Sequence, residues 1–399
     1  MSVRVLPVAF SAALVAAVSF SAVPSASSAQ KKAVAPKAGG SCSKSGQKAA
    51  GLICALDGGK LKWQAVSTST VAAPTTAAAA KEEGGDKKLV VACGAQEDWC
   101  QALTKAFEKK TGIKTSFVRL SSGETVARLG AAKSNPEFDV WHGGPSDGFE
   151  VAGRNGLIEP YISSNAAVIP SSYKSPTGMW TGVYIGVLGF CSNTSTLRKI
   201  NASIPRSWNE ILSPKFKGQF AMSHPSTSGT AYTALWTMTQ VYGSEDAAID
   251  YFKALNPNVF QYTKSGITPG QMAGRGEIAT GLIFSHDCLK FREEGLSDLT
   301  VSFPGEGTGY EIGGLGMIKN AKNQSAAKQY IDWALTTEAQ EIPPTVRSYQ
   351  IPTNPNAKVS DRAVKLSDVK LINYDDQKAG AAKSALTKRF DAEVANAPR

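Results

Sequence analysis

Three segments combine small hydroxyl residues with glycine in a pattern that suits anion binding. They are Ser121-Ser122-Gly123, Gly143-Gly144-Pro145-Ser146 and Ser226-Thr227-Ser228-Gly229-Thr230. Where such a segment opens a helix, free backbone N–H groups and the helix dipole attract negative charge. Because the same residues commonly serve only as helix N-caps, one segment alone carries little weight. Their recurrence in several loops is what predicts an anion site.

A fourth segment, Ser285-His286-Asp287, follows the apolar run Gly281-Leu282-Ile283-Phe284. A histidine beside a carboxylate can hold a polyol, can ligate a metal, or can be a structural pair bonded to the backbone. The three histidines of the chain, His142, His224 and His286, all fall in these candidate loops. Three imidazoles and a carboxylate would suit zinc, so metal binding stays open as an alternative.

The sequence contains no complete motif of several common enzyme classes. Lys110-Thr111-Gly112 and Ser171-x-x-Lys174 match penicillin-recognising enzymes in composition but occur in reversed order. The sequence has no G-x-S-x-G, H-E-x-x-H or P-loop motif, and Gly305-x-Gly307-x-Gly309 lacks Rossmann spacing. We therefore expect a binding protein and not an enzyme, with no catalytic residues.

The elements that position these loops alternate between strand and helix. Strands are predicted at 89–92, 113–120, 138–141, 218–222 and 281–284, and helices at 99–110, from 121 and from 230. Residues 142–146 are predicted as a loop, and the apolar run Gly182 to Phe190 separates two such series. Because ligands bind in loops after strand ends in open α/β sheets, this pattern predicts a two-lobed α/β protein with a cleft.

The charge of the chain is concentrated at its start. Lysine and arginine number 43 against 33 acidic residues, a net charge of +10. Residues 1–87 contain ten basic and four acidic residues, and no later basic cluster is interleaved with aromatic residues. A solvated basic tail accounts for the charge, so no nucleic-acid partner is expected.

The first residues have the pattern of a secretion signal. Arg4 precedes an apolar stretch from Val5 to Val23, and small-residue cleavage sites follow at Pro24-Ser25-Ala26 and Ser27-Ser28-Ala29. We predict a signal peptide at residues 1–29 over a membrane anchor, because the stretch contains Pro7 and lacks a basic stop. The mature protein would be soluble and extracytoplasmic, either secreted or periplasmic.

Export makes disulfides the expected state of the six cysteines. Their spacing suggests Cys42–Cys54 and Cys93–Cys100, and Cys191–Cys288 then remains by elimination. Six cysteines allow fifteen pairings, so only the first two pairs have positive support. Residues 30–87 are predicted as a linker with a small Cys42/Cys54 module. This module either contacts the cell envelope or is tethered to the protein without a function of its own.

A series of ordered motifs runs from Lys88 towards the C-terminus. They are Leu89-Val90-Val91 with Cys93-x6-Cys100, Phe107-x3-Thr111-Gly112-Ile113, Ser121-Ser122-Gly123-Glu124, Ser207-Trp208, Pro214-x-Phe216-x-Gly218, Pro225-x2-Ser228-Gly229-Thr230-Ala231-Tyr232, Tyr262-Thr263-Lys264-Ser265-Gly266, Gly276-Glu277-Ile278-Ala279, Pro304-x-Glu306-Gly307-Thr308 and Tyr310-Glu311-Ile312-Gly313. On these motifs the sequence resembles bacterial ABC-transporter substrate-binding proteins of the type II periplasmic-binding class, in the ferric-iron/sugar-phosphate branch. We accordingly expect lobe 1 at residues 88–188 and 312–346, and lobe 2 at 189–311 and 347–399.

The resemblance also separates two kinds of ligand. Ferric-iron binders of this superfamily have two adjacent tyrosines where this chain has His286-Asp287, which argues against a hard ferric site. Hexose-phosphate binders of the branch have a His-Asp pair there and a later glutamate, here Glu311 or Glu306, with Glu311 preferred. The resemblance implies that the hydroxyl-rich loops hold the phosphate while the pair and the glutamate hold the sugar.

The expected function is capture of a small anionic organic solute, foremost a sugar phosphate, by lobe closure. The protein would act as the monomeric solute-binding component of an ABC importer, deliver the solute to a membrane permease and need no cofactor. Alternatives are a ferric-iron or zinc binder of an ABC importer, a binder of a phosphonate or other organic anion, and an envelope phosphatase. The expected ligand-binding residues are Gln96, Glu97, Ser121, Ser122, Gly144, Ser146, Ser226, Ser228, Gly229, Thr230, Lys264, His286, Asp287 and Glu311.

Overall fold

The computed structural model describes residues 37, 41–43, 48–49, 52–57, 60–65 and 87–396. The signal peptide predicted at residues 1–29 lies outside the described residues. The chain divides into two units, Met1–Lys81 and Glu82–Arg399. Within the described part of the chain, no helix is long and apolar enough to cross a membrane.

The first unit contains a small antiparallel sheet of three strands in the order β1-β2-β3. The strands are β1 (Lys48–Ala49), β2 (Leu52–Asp57) and β3 (Lys60–Ala65). Cys54 on β2 lies opposite Trp63 on β3, and both are buried. Cys54 is joined to Cys42 by a disulfide. A cross-link and one aromatic side chain thus hold together a module that is too small for a core of its own.

The second unit is a mixed α/β structure in which strands and helices alternate. Its strands are β4 (Lys88–Cys93), β5 (Lys114–Arg119), β6 (Val140–Pro145), β7 (Ile158–Glu159), β8 (Thr181–Asn193), β9 (Phe220–Ser223), β10 (Val259–Thr263), β11 (Thr280–Phe284), β12 (Leu299–Ser302), β13 (Tyr310–Ile318) and β14 (Ile351–Pro352). Its α-helices are α1 (Glu97–Thr111), α2 (Ser122–Ala131), α3 (Ser146–Arg154), α4 (Thr194–Lys199), α5 (Gly229–Val241), α6 (Glu245–Leu255), α7 (Thr268–Gly274), α8 (Ser285–Glu293), α9 (Gln324–Ala334), α10 (Thr337–Gln340) and α11 (Asp376–Phe390). The alternation that the sequence predicts from Lys88 onwards is present.

The long strand β8 joins two groups of strands. Its first half pairs with β13 and β14, and its second half pairs with β11 and β12. The main path through the sheet is β10-β9-β11-β8-β13-β6-β4-β5. Strands β4, β5 and β6 pair in parallel on one side of β8, and β9, β10 and β11 pair in parallel on the other. This is the two-lobed α/β architecture that the sequence predicts, whereas the exact lobe boundaries stay a prediction.

Each half of the sheet is covered by helices that bury an apolar face. On the first half, α1 buries Trp99, Leu103 and Phe107 and ends at Gly112, whose φ of 72° ends the helix in the left-handed region. The strands β6 and β8 are buried along their whole length. In a strand that is covered on both faces of the sheet, side chains of either orientation are buried and are mostly apolar or small. This explains the long apolar run of β8.

The segment 142–146, predicted as a loop, has regular structure. Strand β6 continues to Pro145, and α3 begins at the next residue. Gly143 and Gly144 have φ values of 85° and 91°, and the pairing of β6 with β13 shifts register between Gly313 and Leu315. Glycine here permits a bulge inside a paired strand, and the glycine-rich sequence alone does not distinguish that bulge from a loop.

Candidate ligand-binding site

A cavity lies where loops that follow strands of both halves of the sheet meet. It contains about 460 Å³ of space free of protein atoms, part of it open to solvent. Ten of the fourteen predicted residues line it: Gln96, Ser121, Ser122, Gly144, Ser228, Gly229, Thr230, His286, Asp287 and Glu311. The loops converge because the carboxyl ends of the parallel strands in each half meet at the same edge.

Two of the remaining predicted residues are next to lining residues in the sequence but do not line the cavity themselves. Glu97 is exposed in the first turn of α1. Ser146 begins α3 and is buried, and its hydroxyl bonds the carboxylate of Asp376. The hydroxyl of Ser146 is therefore engaged with the C-terminal helix and is not presented to the cavity.

The other two lie on the outer surface of the loops. Ser226 is exposed, and its Oγ is 2.7 Å from Nδ1 of His224. Lys264 is exposed and forms an ion pair with Glu124. Since Glu124 follows β5 and Lys264 follows β10, this ion pair joins the two halves of the protein outside the cavity wall.

One end of the cavity is made of hydroxyl groups and backbone N–H groups. The Oγ of Ser121 donates to Oε2 of Glu124 at 2.6 Å and caps α2. Oγ of Ser228, which precedes α5, is 2.9 Å from Oγ of Ser223. Across the cavity, Ser122 approaches Gly144 so closely that a Cβ on that glycine would lie 2.6 Å from Oγ of Ser122. Three helix starts, those of α2, α3 and α5, thus meet at this end, which suits an anion.

Arg119, which the sequence does not single out, brings a positive charge to the same end. It is the last residue of β5 and lines the cavity. Its Nε donates to the carbonyl of Ala95 at 3.3 Å, and its Nη1 donates to Oγ of Ser265 at 3.3 Å. The sequence predicts only neutral donors for the anion, so that prediction was incomplete. The position of Arg119 at a strand end, two residues before Ser121, is the signal that could have identified it.

A second group of lining residues is rich in hydrogen-bond acceptors. His286 and Asp287 occupy the first turn of α8 and are both buried. Nε2 of His286 is 3.6 Å from Oδ1 of Asp287, and that same oxygen accepts a 2.6 Å bond from Nε2 of Gln96. The ring of His286 stacks on Phe284 at a centroid distance of 5.7 Å. Burial lowers the pKa of His286, although Asp287 opposes the shift, so the imidazole is neutral near pH 7.

Glu311 and Tyr184 connect the two ends. Glu311 is buried, and the loss of solvation together with the charges of Asp287 and Asp147 raises its pKa well above the usual range. The hydroxyl of Tyr184 interacts with this carboxyl and accepts a 3.0 Å bond from the backbone N–H of Gly144. The raised pKa favours the neutral form of the carboxyl, which can itself donate a hydrogen bond. Tyr184 was hidden inside the apolar run of β8, where no local pattern identifies it.

Gly186 creates the space between the acceptor groups. It lies opposite Glu311 in the pairing of β8 with β13. A Cβ at this position would lie 2.6 Å from Cε1 of His286 and 2.9 Å from Oε1 of Glu311. Any larger residue would displace both side chains, so only glycine fits this point of the strand. Glu306, the other glutamate that the resemblance offers, bonds instead to Ser207 and to the backbone N–H of Trp208 at 3.1 Å.

The three histidines do not share a site. His142 is buried with Nδ1 3.2 Å from the hydroxyl of Tyr330, and burial lowers its pKa to about 4. His224 contacts Asp391, with Nε2 3.2 Å from Oδ1. Within the residues that the structure describes, no group of three or more His, Cys, Asp or Glu side chains is placed to hold a metal ion.

Two disulfides lie directly behind the cavity wall. Cys93, the last residue of β4, is joined to Cys100 on α1, which encloses the lining loop 94–96. Cys191 on β8 is joined to Cys288 on α8, next to Asp287. Both cross-links restrict the elements that carry lining residues.

Comparison with known proteins gives a consistent result. Residues 102–370 match the family described as bacterial extracellular solute-binding protein. A protein of Haemophilus influenzae without an assigned function is 42% identical over 315 residues, which cover 77% of this chain and 90% of that protein. The structure of the periplasmic binding protein AfuA from Actinobacillus pleuropneumoniae, described as having exogenous fructose-6-phosphate bound, is 42% identical. It covers 78% of this chain and 99% of that one, with a TM-score of 0.76. The Fe(3+)-binding periplasmic protein of Serratia marcescens is 23% identical over 293 residues, 72% of this chain and 85% of that protein.

Proposed function

Because the chain belongs to the bacterial extracellular solute-binding protein family, we propose that it binds a sugar phosphate between its two lobes. The bound solute would pass to the membrane permease of an ABC importer, and the protein would act outside the cytoplasm as a monomer after removal of its signal peptide. The type II fold that the sequence predicts is confirmed by the likeness to AfuA. The ligand and its binding residues are our inference.

One observation carries the proposal: a single cavity is lined by two chemically different groups of residues. Arg119 and the helix starts at Ser122 and Gly229 form a positive end with hydroxyl groups and backbone donors. His286 and Asp287 form an end rich in acceptors. A phosphate ester of a polyol has a dianion at one end and hydroxyl donors at the other, so it complements both. The bound ligand named for AfuA is such a molecule.

Contacts between loops of the two halves of the sheet support the proposal that closure encloses the solute. Gln96, which precedes α1, bonds Asp287 on α8 at 2.6 Å. The backbone N–H of Gly123 donates to the carbonyl of Thr227 at 3.0 Å. These contacts lie on either side of the cavity and join loops from different halves of the sheet. A solute that touches both halves would favour this closed arrangement over an open one.

A ligand panel tests the proposal. Thermal unfolding is measured with fructose 6-phosphate, glucose 6-phosphate, 2-aminoethylphosphonate, inorganic phosphate, ferric citrate and zinc chloride. At equal concentration the ligand with the lowest Kd stabilises most, and we expect this to be a sugar phosphate. A ligand at a hundred times its Kd adds about 2.7 kcal/mol to the free energy of unfolding.

Other results of the same panel would replace the proposal. Stabilisation by iron or zinc that a chelator reverses would make the protein a metal binder, and preference for the phosphonate would make it a phosphonate binder. Phosphorus NMR of the recovered ligand separates binding from hydrolysis. We expect the sugar phosphate to be recovered unchanged, whereas release of inorganic phosphate would indicate the phosphatase alternative.

A further inference from the structure

We propose that Gln350 is a specificity-determining residue of the cavity. Its side-chain amide, beside His286, accepts a hydrogen bond from a hydroxyl group of the bound solute. This inference rests on the proposed function, and it adds a residue that neither the sequence motifs nor the hydroxyl-rich loops indicate. It also says which kind of solute the acceptor-rich residues select. That solute has a ring or chain with hydroxyl donors and is not a bare anion.

The pairing of strands brings Gln350 next to the other acceptor groups. It directly precedes β14, in which Ile351 pairs with Ile185 of β8. Continued by one residue, this antiparallel register places Gln350 beside Gly186. On the other side of Gly186 lies Glu311. The space that Gly186 leaves open is thus bordered by Gln350 from one neighbouring strand and by Glu311 from the other.

The side chain of Gln350 is buried and incompletely bonded. The residue is 5% exposed and lines the cavity. Among the residues that the structure describes, its Oε1 has no hydrogen-bond partner, and neither has Nδ1 of His286, which is 6% exposed. Buried polar atoms are nearly always bonded in folded proteins, because an unpaired one loses its bonds to water without replacement. Both residues line the cavity, so a bound solute can supply the missing hydrogen-bond partners.

A second buried glutamine, Gln340, shows what a purely structural role looks like. Gln340 is 6% exposed. Its Oε1 accepts the backbone N–H of Asn354 at 2.8 Å, and its Nε2 lies 3.3 Å from Oγ1 of Thr353. Both ends of that amide are bonded within the protein. The open acceptor of Gln350 therefore does not follow from burial of a glutamine in this region of the chain.

The charges around Gln350 favour a hydroxyl donor over an ammonium group. The two unbonded atoms, Oε1 of Gln350 and Nδ1 of His286, are both on neutral groups. Burial raises the pKa of Glu311 and favours its neutral form, and Oδ1 of Asp287 accepts a bond from Gln96. A desolvated ammonium ion needs an opposite charge to offset its burial, whereas a hydroxyl needs only an acceptor.

The experiment measures Kd values by isothermal titration for wild type, Gln350→Met and the control Gln340→Met. The titrants are glucose 6-phosphate, its 2-deoxy, 3-deoxy and 4-deoxy analogues, 2-aminoethylphosphonate and inorganic phosphate. Methionine has a similar volume and cannot bond a hydroxyl. We expect Gln350→Met to weaken glucose 6-phosphate binding by about tenfold or more while leaving the Kd of inorganic phosphate unchanged. One of the deoxy analogues should bind wild type more weakly than glucose 6-phosphate does. Its Kd should be the same for Gln350→Met as for wild type.

The outcomes separate this inference from the proposed function. If wild type binds no sugar phosphate, or binds the aminophosphonate more tightly, the proposed function fails and this inference fails with it. If wild type binds glucose 6-phosphate and Gln350→Met binds it equally well, only the inference is overturned. It is also overturned if Gln350→Met weakens inorganic phosphate by the same factor, or if Gln340→Met shows the same selective loss.

Discussion

Arg119 is held at the cavity by contacts with loops from both halves of the protein. Its guanidinium bonds the carbonyl of Ala95 and the hydroxyl of Ser265. Among the lining residues that the structure describes, it is the only lysine or arginine. A charge-assisted bond to a phosphate group is stronger than a neutral one, and Arg119 also holds two loops in their closed positions. Its loss should therefore weaken binding more than the loss of one hydroxyl would.

We predict that Arg119→Met weakens sugar-phosphate binding by roughly tenfold to a hundredfold and makes Kd less dependent on salt. Titration calorimetry at low and high ionic strength measures both effects. Arg128→Met is the matched control, since Arg128 is an exposed arginine of α2 that pairs with Glu137 away from the cavity lining. Equal affinity and equal salt dependence in the two variants would show that Arg119 does not contact the anion.

Residue types alone identify only part of this site. Ser121 and His286 lie at recognisable positions, a helix start and a strand end, so sequence places both in the cavity. Tyr184 and Gln350 reach it only because β8, β13 and β14 pair in one particular register. That register depends on contacts between residues more than a hundred positions apart, and no local pattern carries it.

At the scale of elements, the alternation of strands and helices was predictable because buried parallel strands are short apolar runs and their helices have one apolar face. Strand β4 and helix α1, for example, extend only one or two residues beyond their predicted limits. The bulge at Gly143 and Gly144 was not predictable, because a bulged strand and a loop call for the same glycines.

Helix α8 joins the two halves through a buried ammonium group. Lys290 is 5% exposed, and its Nζ donates to the carbonyl of Val346 at 2.8 Å and contacts Asp98 at the start of α1. The same helix carries His286 and Asp287 in its first turn. Contacts of Lys290 with α1 would exist only while the lobes are closed, so they stabilise the closed arrangement without touching the solute.

We predict that Lys290→Met weakens every ligand by one common factor, on the order of tenfold, because it lowers the population of the closed state and not the fit of any ligand. Small-angle scattering of the ligand-free variant should show a larger radius of gyration than that of wild type. Arg292→Met is the control, since Arg292 is exposed on the same helix. A loss for one ligand but not for another would argue against a role in closure.

At the scale of the whole second unit, α11 connects elements that are distant in sequence. Its Leu386 and Phe390 are buried in the apolar core beside Phe252. Its Lys383 forms an ion pair with the fully buried Asp147 of α3. The C-terminal helix therefore contacts the core of one half of the sheet and helix α3 of the other, and its stability affects the whole unit.

The first residue of α11 makes that stability depend on pH. Burial raises the pKa of Asp376 from 3.8 to about 7, with repulsion from Asp147 and Glu150 adding to the shift and the hydroxyl of Ser146 opposing it. The folded state keeps this proton up to about pH 7, whereas the unfolded chain loses it near pH 4. Folding thus becomes less favourable as pH rises between these two values, by a total on the order of 4 kcal/mol.

We predict that Asp376→Asn, which keeps an acceptor for Ser146 and cannot ionise, matches wild type near pH 4 and becomes progressively more stable than wild type up to pH 7. Urea unfolding over this pH range measures the difference. The neighbouring Asp375 is the control, because its carboxylate caps α11 and accepts the N–H of Lys378 at 3.0 Å, which lowers its pKa. Its stabilisation is present above the unfolded pKa and is lost as pH falls, so Asp375→Asn should destabilise at pH 7 and have no effect in acid. A difference between Asp376→Asn and wild type that stays constant from pH 4 to pH 7 would show that Asp376 does not hold its proton in the folded protein.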